Sequence, residues 1–546
     1  MGKNMRKFRD IIFGCILAGS ISTCTDLNFA GGGLDTETSG GTVVGLLAAE
    51  DGTPEINAQV FCVPFSYNAL KDPQLSDTLI NTTDETGCYR FDGVKKGTYN
   101  IQAVSPEKKT NILICGIDVG KDTVMVPGGT LHASGTLKII FPDAGYDAPS
   151  YCYLPGTTFF AQIQNGLAVM NDVPAGFVPA ADYFNTLDST KNHVIQAGLF
   201  ISLGDTTVIA DLTAWRYSKK LYLNTTAAGA NINGNVFNFP ALVRLTPNNF
   251  DFTQAAAGGG DIRFAKSDNT PLTYEIERWD AGARVAEIWV KVDTIYGNDS
   301  VQSITMYWGN QNASDNSNGP VVFDTAEGFQ GVWHLAQPNG SVIPDATGNG
   351  NDGTATGTTT GAGEVGMAQM FNGKSSFIRV SGPAMDKLNF PENGAFSVAA
   401  WVQTNVLDSL FHGVVYKSNE QYGLQMRPKN IWEFCTYIDN TRWELSRASA
   451  MDYSWHALVG VRNGTKQYLY VDGVCADTSV ALLSSNLARV TDQPLDIGHC
   501  PDGGTDPDRY FNGAIDEVRI ASVVRSADWI KLCFMNQKVP DALVKW

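Results

Sequence analysis

A chain of 546 residues, 43% of them hydrophobic, is too long for one hydrophobic core and too apolar to be disordered, so it reads as three or four folded domains. Its 55 glycines, set among many Asn, Asp and Thr, point to frequent tight turns between short strands and hence to an all-β chain. A formal net charge of −17 excludes an electrostatic grip on nucleic acid or on an anionic membrane surface, since both rely on clustered Lys and Arg, and leaves neutral partners or cations.

The N-terminus carries a basic stretch, Lys3, Arg6, Lys7 and Arg9, followed by the apolar run IIFGCILAGSI from Ile11 to Ile21. This is the pattern of an export signal, and the run is too short to span a bilayer permanently. No later stretch reaches the roughly 18 apolar residues of a spanning helix. Ile21-Ser22-Thr23-Cys24, with a Gly-rich spacer behind it, resembles a bacterial lipobox, although Thr23 stands where Gly, Ala or Ser is usual. The resemblance implies a signal over 1–24, diacylglycerol on Cys24, a linker over 25–41, and an exported chain anchored to the outer membrane or cell surface. The membrane would be touched through the lipid alone. An ordinary secretory signal cut near the same place is the alternative. Beyond Cys15 and Cys24 lie Cys62, Cys88, Cys115 and Cys152, then Cys435, Cys475, Cys500 and Cys533. Without CxxC or His-rich spacing these are disulfides of an oxidising compartment or buried thiols, and each set of four allows three pairings.

From 42 to 130, runs such as GTVVGLLA and QVFCV alternate apolar and polar residues between turn residues, which predicts strands. Thr86-Gly87-Cys88-Tyr89-Arg90-Phe91, then Val94 and Gly97-Thr98-Tyr99, resemble the carboxypeptidase-regulatory or prealbumin-like β-sandwich. That resemblance implies a spacer without peptidase activity. Gly135-Thr136-Leu137-Lys138-Ile139-Ile140, Leu154-Pro155-Gly156-Thr157 and Val173-Pro174-Ala175-Gly176 predict a second, degenerate sandwich over 131–213.

Over 214–330 the signposts are Phe239-Pro240-Ala241-Leu242-Val243, Tyr274-Glu275-Ile276-Glu277-Arg278-Trp279, Ala286-Glu287-Ile288-Trp289-Val290 and Met306-Tyr307-Trp308-Gly309-Asn310. They resemble domain of unknown function 2341, which lends no function. Over 331–546 the landmarks are Val332-Trp333-His334-Leu335, Asp345 to Gly353, Phe371-Asn372-Gly373, Phe396-Ser397-Val398-Ala399-Ala400-Trp401-Val402, Leu469-Tyr470-Val471-Asp472-Gly473 and Asn512-Gly513-Ala514-Ile515-Asp516-Glu517-Val518. These resemble the LamG-like, concanavalin-type jelly roll. The alternating strands, as in FSVAAWV, place one face in a sandwich core, and NG and DG dipeptides close the hairpins.

Glu275, Glu277 and Asp280 suggest paired carboxylates of the kind used in glycoside hydrolysis, but a solvated strand face explains alternating Glu equally well. Asp516 and Glu517 are adjacent, so a regular strand sends them to opposite faces. There is no ExDxxE run in the last module, and no GxSxG elbow, HExxH helix or phosphate-cradling loop anywhere. His334 and His456 follow Trp333 and Trp455 in strand-like runs, where packing is the plainer role. No catalytic site is expected. Structural calcium is implied by the LamG resemblance, with Asn372 and Asp516 as ligands and Asp345, Asn349 and Asp352 as further candidates; turn-making is the alternative role of the same residues.

In the strands IWEFCTYI (431–438) and TRWEL (441–445), alternation sends Trp432 and Phe434 to one face and Cys435 and Tyr437 to the other, without saying which face is outward. Tyr437, Arg442 and Trp443 are the candidates for holding a sugar, an aromatic against the ring and polar groups on the hydroxyls. The resulting expectation is an all-β, multi-domain, non-catalytic surface lipoprotein that binds carbohydrate or mediates adhesion. The alternative is a structural or interaction component meeting another envelope protein, and a third reading, placed behind both, is a polysaccharide-processing enzyme.

Overall fold

The computed structural model describes residues 40–105, 107–142, 149–337, 342–390, 394–417, 421–438, 442–449, 452–464, 466–479, 493–501 and 509–546. Cys24, the expected lipid site, lies outside them. The chain is all-β, and its strands form a series of two-sheet sandwiches. Among the described residues no helix is long and apolar enough to cross a membrane.

In the first sandwich, Gly41–Ala48 pairs antiparallel with Cys88–Val94 and parallel with Thr123–Met125. The opposing sheet runs Ile80–Thr82, Gln59–Pro64, Gly97–Ser105, Thr110–Val119, His132–Ala133. Period-2 alternation sends Val60, Cys62, Tyr89 and Phe91 into the space between the sheets. Gly87 turns the chain at φ +74°, where a Cβ would run into the Leu47 carbonyl oxygen.

The second sandwich repeats this plan. Gly135–Ile140 pairs antiparallel with Leu167–Val173 and parallel with Thr206–Ala210, with a register shift after its first glycine as in Gly41–Ala48. Asn100 and Gln102 of the first sandwich reach Gly156 and Thr158 of the second, at 3.0 and 2.7 Å. Of the described cysteines, Cys62, Cys115, Cys152, Cys435, Cys475 and Cys533 are free thiols.

The third body sets Val236–Leu245, Val285–Ile295 and Tyr274–Asp280 against a sheet ordered Pro271–Leu272, Arg263–Lys266, Ser303–Trp308, Tyr217–Leu223, Val544–Lys545. Its edge strand is therefore supplied by the end of the chain. Among the described residues the jelly roll has two eight-stranded sheets around a core that includes Trp333, Phe396, Leu424, Trp432 and Phe434. One sheet, here called the inner sheet, centres on Asn512–Ala521 and Phe396–Thr404; the outer sheet includes His412–Lys417, Tyr422–Arg427, Ile431–Ile438 and Arg442–Ala448.

Part of the back of the inner sheet packs into an apolar core. Val459 and Val461 from it join one core with Phe239, Trp289 and Phe329, and with Trp529, Ile530 and Leu532 of the helix Ala527–Gln537. That helix lies on Val236–Leu245, where Asn536 accepts from Leu242 N at 2.7 Å and donates to Leu242 O at 3.0 Å, completing a strand-like pair with its side-chain amide. Arg244 donates to the carbonyls of Asn536, Gln537 and Glu364. The segments expected as 214–330 and 331–546 thus share a hydrophobic core and a sheet.

Candidate functional site

Two polar clusters break the apolar pattern. The first lies between the third body and the inner sheet. Trp333 turns into the jelly-roll core and donates its indole N–H to Asn351 O at 2.9 Å, so alternation sends the next residue, His334, out of the opposite face. There it meets Glu517 Oε1 at 2.6 Å, Glu277 Oε2 at 3.6 Å and, through Nε2, Glu275 Oε2 at 3.3 Å. Its ring stacks on Trp289, with centroids 5.9 Å apart.

Two bulges build this cluster, and both depart from the regular-strand expectation. Trp401 pairs with Asp516 and Ala399 with Arg519, so two residues, Glu517 and Val518, oppose one, and Glu517 sits at φ +51°. The extra residue resets the alternation. Ile515, Val518 and Ile520 all enter the core, while Asp516, Glu517 and Arg519 all face the third body. The adjacent acids therefore share one face rather than taking opposite ones. A second bulge places Glu277 between Ile276 and Arg278. Its side chain is only 1% exposed and accepts from Trp289 Nε1 at 2.7 Å, so the strand face carrying Glu275 and Glu277 is covered by the jelly roll, not solvated.

The charges in this cluster are unbalanced. Glu275, Glu277, Asp516 and Glu517 face His334 and Arg519, whose guanidinium donates to Glu517 Oε2 at 3.1 and 2.6 Å and lies 4.3 Å from the Trp289 ring. Burial, with the neighbouring carboxylates, pushes the Glu277 and Asp516 carboxyls well above their usual range. For His334 burial opposes the charge, but Glu517, Glu277 and Glu275 outweigh it and raise its pKa well above normal. Glu517 is likewise opposed by burial and held below the carboxylate range by His334 and Arg519. Glu277 Oε1 and Asp516 Oδ1 are buried without a hydrogen-bond partner.

The second cluster opens on the outer sheet. Trp432 and Phe434 are fully buried in the core, so Glu433, Cys435 and Tyr437 point away from it. Across the ladder Glu433 pairs with Gln425 on one side and Arg447 on the other. The Glu433 carboxylate, 3% exposed, accepts from Gln425 Nε2 at 2.6 Å, Arg427 Nη1 at 3.0 Å and Arg447 Nε at 2.5 Å. Phe411 lies under two guanidiniums, Arg509 at 4.9 Å and Arg427 at 5.7 Å from its ring centroid. With Tyr416, Cys435 and Leu445 these residues line a groove of about 240 Å³. Burial raises the Tyr416 phenol and the Cys435 thiol, so both stay neutral. Among the described residues that line it, the groove carries the three guanidiniums of Arg427, Arg447 and Arg509 and the carboxylate of Glu433.

The residues singled out from the sequence fall in three places. Asp345, Asn349 and Asp352 share one loop: Asp345 accepts from the N–H groups of Val332, Thr347 and Asn351 and from the Thr347 hydroxyl, Asp352 accepts from Asp345 N, and Asn349 donates to Gln330 O. Asn372 closes its own turn, accepting from the N–H groups of Lys374, Ser375 and Ser376. It pairs with Asn512, four residues from Asp516 along the strand, about 13 Å at the usual rise, so Asn372 and Asp516 do not share a site. Tyr437 is half-buried and pairs with Trp443, at the end of the strands that carry the groove; the side chains of Arg442 and Trp443 lie outside the described residues. Sequence reading missed Arg427, Glu433, Arg447 and Arg509. The signal for two of them was present, because Glu433 and Arg447 take the same alternation phase as Cys435 and Leu445 in their strands.

Two family profiles match the chain. Residues 372–531 match the concanavalin A-like lectin/glucanases superfamily, and residues 258–336 match domain of unknown function 2341. The binding domain of Paraclostridial mosquitocidal protein 1 is 13% identical with a TM-score of 0.32, over 38% of this chain and 52% of that one. The botulinum neurotoxin serotype D binding domain is 12% identical with a TM-score of 0.31, over 38% and 51%. Domain 4 of AbnA, a GH43 extracellular arabinanase from Geobacillus stearothermophilus solved with arabinotriose, is 18% identical with a TM-score of 0.30, over 37% and 97%. The chain spans about half the length of the toxin binding domains it resembles. No curated protein matches it.

Proposed function

We propose that this is a non-catalytic surface protein that holds a glycan carrying anionic groups in the groove of its outer sheet. The observation that carries the reading is the network around Glu433. A buried carboxylate fixes Arg427 and Arg447 in place, so their remaining N–H groups face the groove already oriented. Pre-set guanidinium donors beside the Phe411 ring suit a sugar that carries a carboxylate or sulfate. The lectin/glucanase profile over 372–531 supports the carbohydrate class. The non-catalytic part of the reading is supported by the enclosure of Glu277, Asp516 and Glu517, each nearly inaccessible between two bodies.

Screening the full chain against immobilised polysaccharides should give binding to acidic members. Arg447→Ala and Arg427→Ala each remove a charge-assisted hydrogen bond, so each should weaken binding roughly 10-fold to 100-fold with the fold intact by circular dichroism. Binding that ignores both substitutions would place the ligand elsewhere.

The same reading puts the protein outside the cell on a Cys24 lipid, on the strength of the ISTC sequence behind the export signal. Cys24→Ala should move the protein from the membrane to the soluble fraction. Unchanged partitioning, with no lipid on the mature N-terminus, would contradict the anchor. Contact with another envelope protein is a second reading favoured by one feature: Phe177 and Phe200, paired across two strands of the second sandwich, are 58% and 70% exposed.

A further inference from the structure

We propose that Glu277, His334 and Glu517 bind a divalent transition-metal ion, of the zinc, manganese or cobalt type, that pins the third body to the jelly roll. One ligand atom from each of the three lies within 4.8 Å of the others, and the three residues come from strands of both bodies. A tetrahedral ion with ligands at about 2.1 Å sets them roughly 3.4 Å apart. His334 Nδ1 and Glu277 Oε2 already stand at 3.6 Å, while Glu517 Oε1, at 2.6 Å from Nδ1, has to recede by about 0.8 Å to reach that spacing.

Three further observations point to an ion. Two of the ligands are already oriented from behind, since Glu275 takes the far nitrogen of His334 and Arg519 holds the second oxygen of Glu517, while Trp289 fixes Glu277 by donating to Oε2 itself. A carboxylate on the far side of a ligating imidazole is the usual support of such a ligand. Glu277 Oε1 and Asp516 Oδ1 are buried in these two side chains without any hydrogen-bond partner. Four acidic side chains, Glu275, Glu277, Asp516 and Glu517, gather around one imidazole and one guanidinium, an excess of acids over bases that a divalent ion offsets. One imidazole and two carboxylates favour a transition ion, since calcium prefers an all-oxygen shell. The Glu275 side chain, 15% exposed, gives the site its edge toward solvent.

The full chain, stripped with chelator and dialysed, should take up one equivalent of Co²⁺ with visible d–d absorption. Zn²⁺ should displace it, and Ca²⁺ at the same concentration should not. Glu277→Gln and Glu517→Gln keep the side-chain volumes and should each weaken uptake at least tenfold. Should either variant fail to fold, X-ray absorption of the wild-type metal complex decides, with one imidazole nitrogen in the first shell expected. No Co²⁺ uptake by the wild type, uptake unchanged in both folded variants, or a first shell without imidazole would overturn the assignment.

Discussion

Deleting residues 527–546 is expected to abolish cooperative folding of everything from residue 217 onward, while leaving the first two sandwiches folded. The segment buries Trp529, Ile530, Leu532, Leu543 and Val544 in the core shared by the third body and the jelly roll. Truncating one buried large aliphatic or aromatic side chain costs about 2–5 kcal/mol, so losing five, about 10–25 kcal/mol in all, matches or exceeds the roughly 5–15 kcal/mol by which a domain is stable. The backbone loses partners as well: Leu242 is left without the Asn536 amide and Tyr217–Leu223 without its edge strand. Urea unfolding followed by tryptophan fluorescence reports on this region, which holds Trp289, Trp308, Trp333, Trp401 and Trp432. A truncated chain with the wild-type midpoint and slope would show that the two bodies fold independently.

Trp432→Ala should cost about 3–5 kcal/mol of stability, the toll of a cavity where a fully buried indole packed beside Phe434 and Met426. Tyr437→Ala, five residues along the same strand but on the face turned from the core, should cost about 1 kcal/mol. The contrast tests the facing of the strand, because a slip of one residue would exchange the two outcomes. Denaturant midpoints at constant slope measure both, and equal costs would contradict the facing described.

Much of the fold is legible because alternation is a local signal. FSVAAWV reads as a half-buried strand, and Phe396, Val398, Ala400 and Val402 do enter the jelly-roll core. The lectin-like module and the unknown-function domain before it are both recovered by their profiles. The interdomain cluster is not legible, since it depends on two bulges. Nothing in Ile515-Asp516-Glu517-Val518 announces that Glu517 adopts φ +51° and resets the alternation, yet that one residue brings two carboxylates to the same face. The covering of the Glu275 and Glu277 face is equally non-local: the surface that removes it from solvent comes from more than 200 residues later, as with Glu517 against Glu277. The groove falls between these cases. Its strands and their phase are readable, but Arg427, Arg509 and Phe411 come from separate segments, and only the pairing of Tyr422–Arg427 with Ile431–Ile438 brings the first of them to Glu433.

The claim that the groove selects anionic glycan is tested most directly by calorimetry of the full chain with one polyuronate and with the same polymer after reduction of its carboxyl groups. The two share backbone, linkage and length, so only the charge contacting Arg427, Arg447 and Arg509 differs. Loss of charge-assisted hydrogen bonds, each worth about 1.5–3 kcal/mol, should weaken binding of the reduced polymer at least tenfold, and Arg447→Ala should bind the two polymers with nearly equal strength. Equal affinity of the wild type for the charged and the reduced polymer, or binding of neither, would contradict the account.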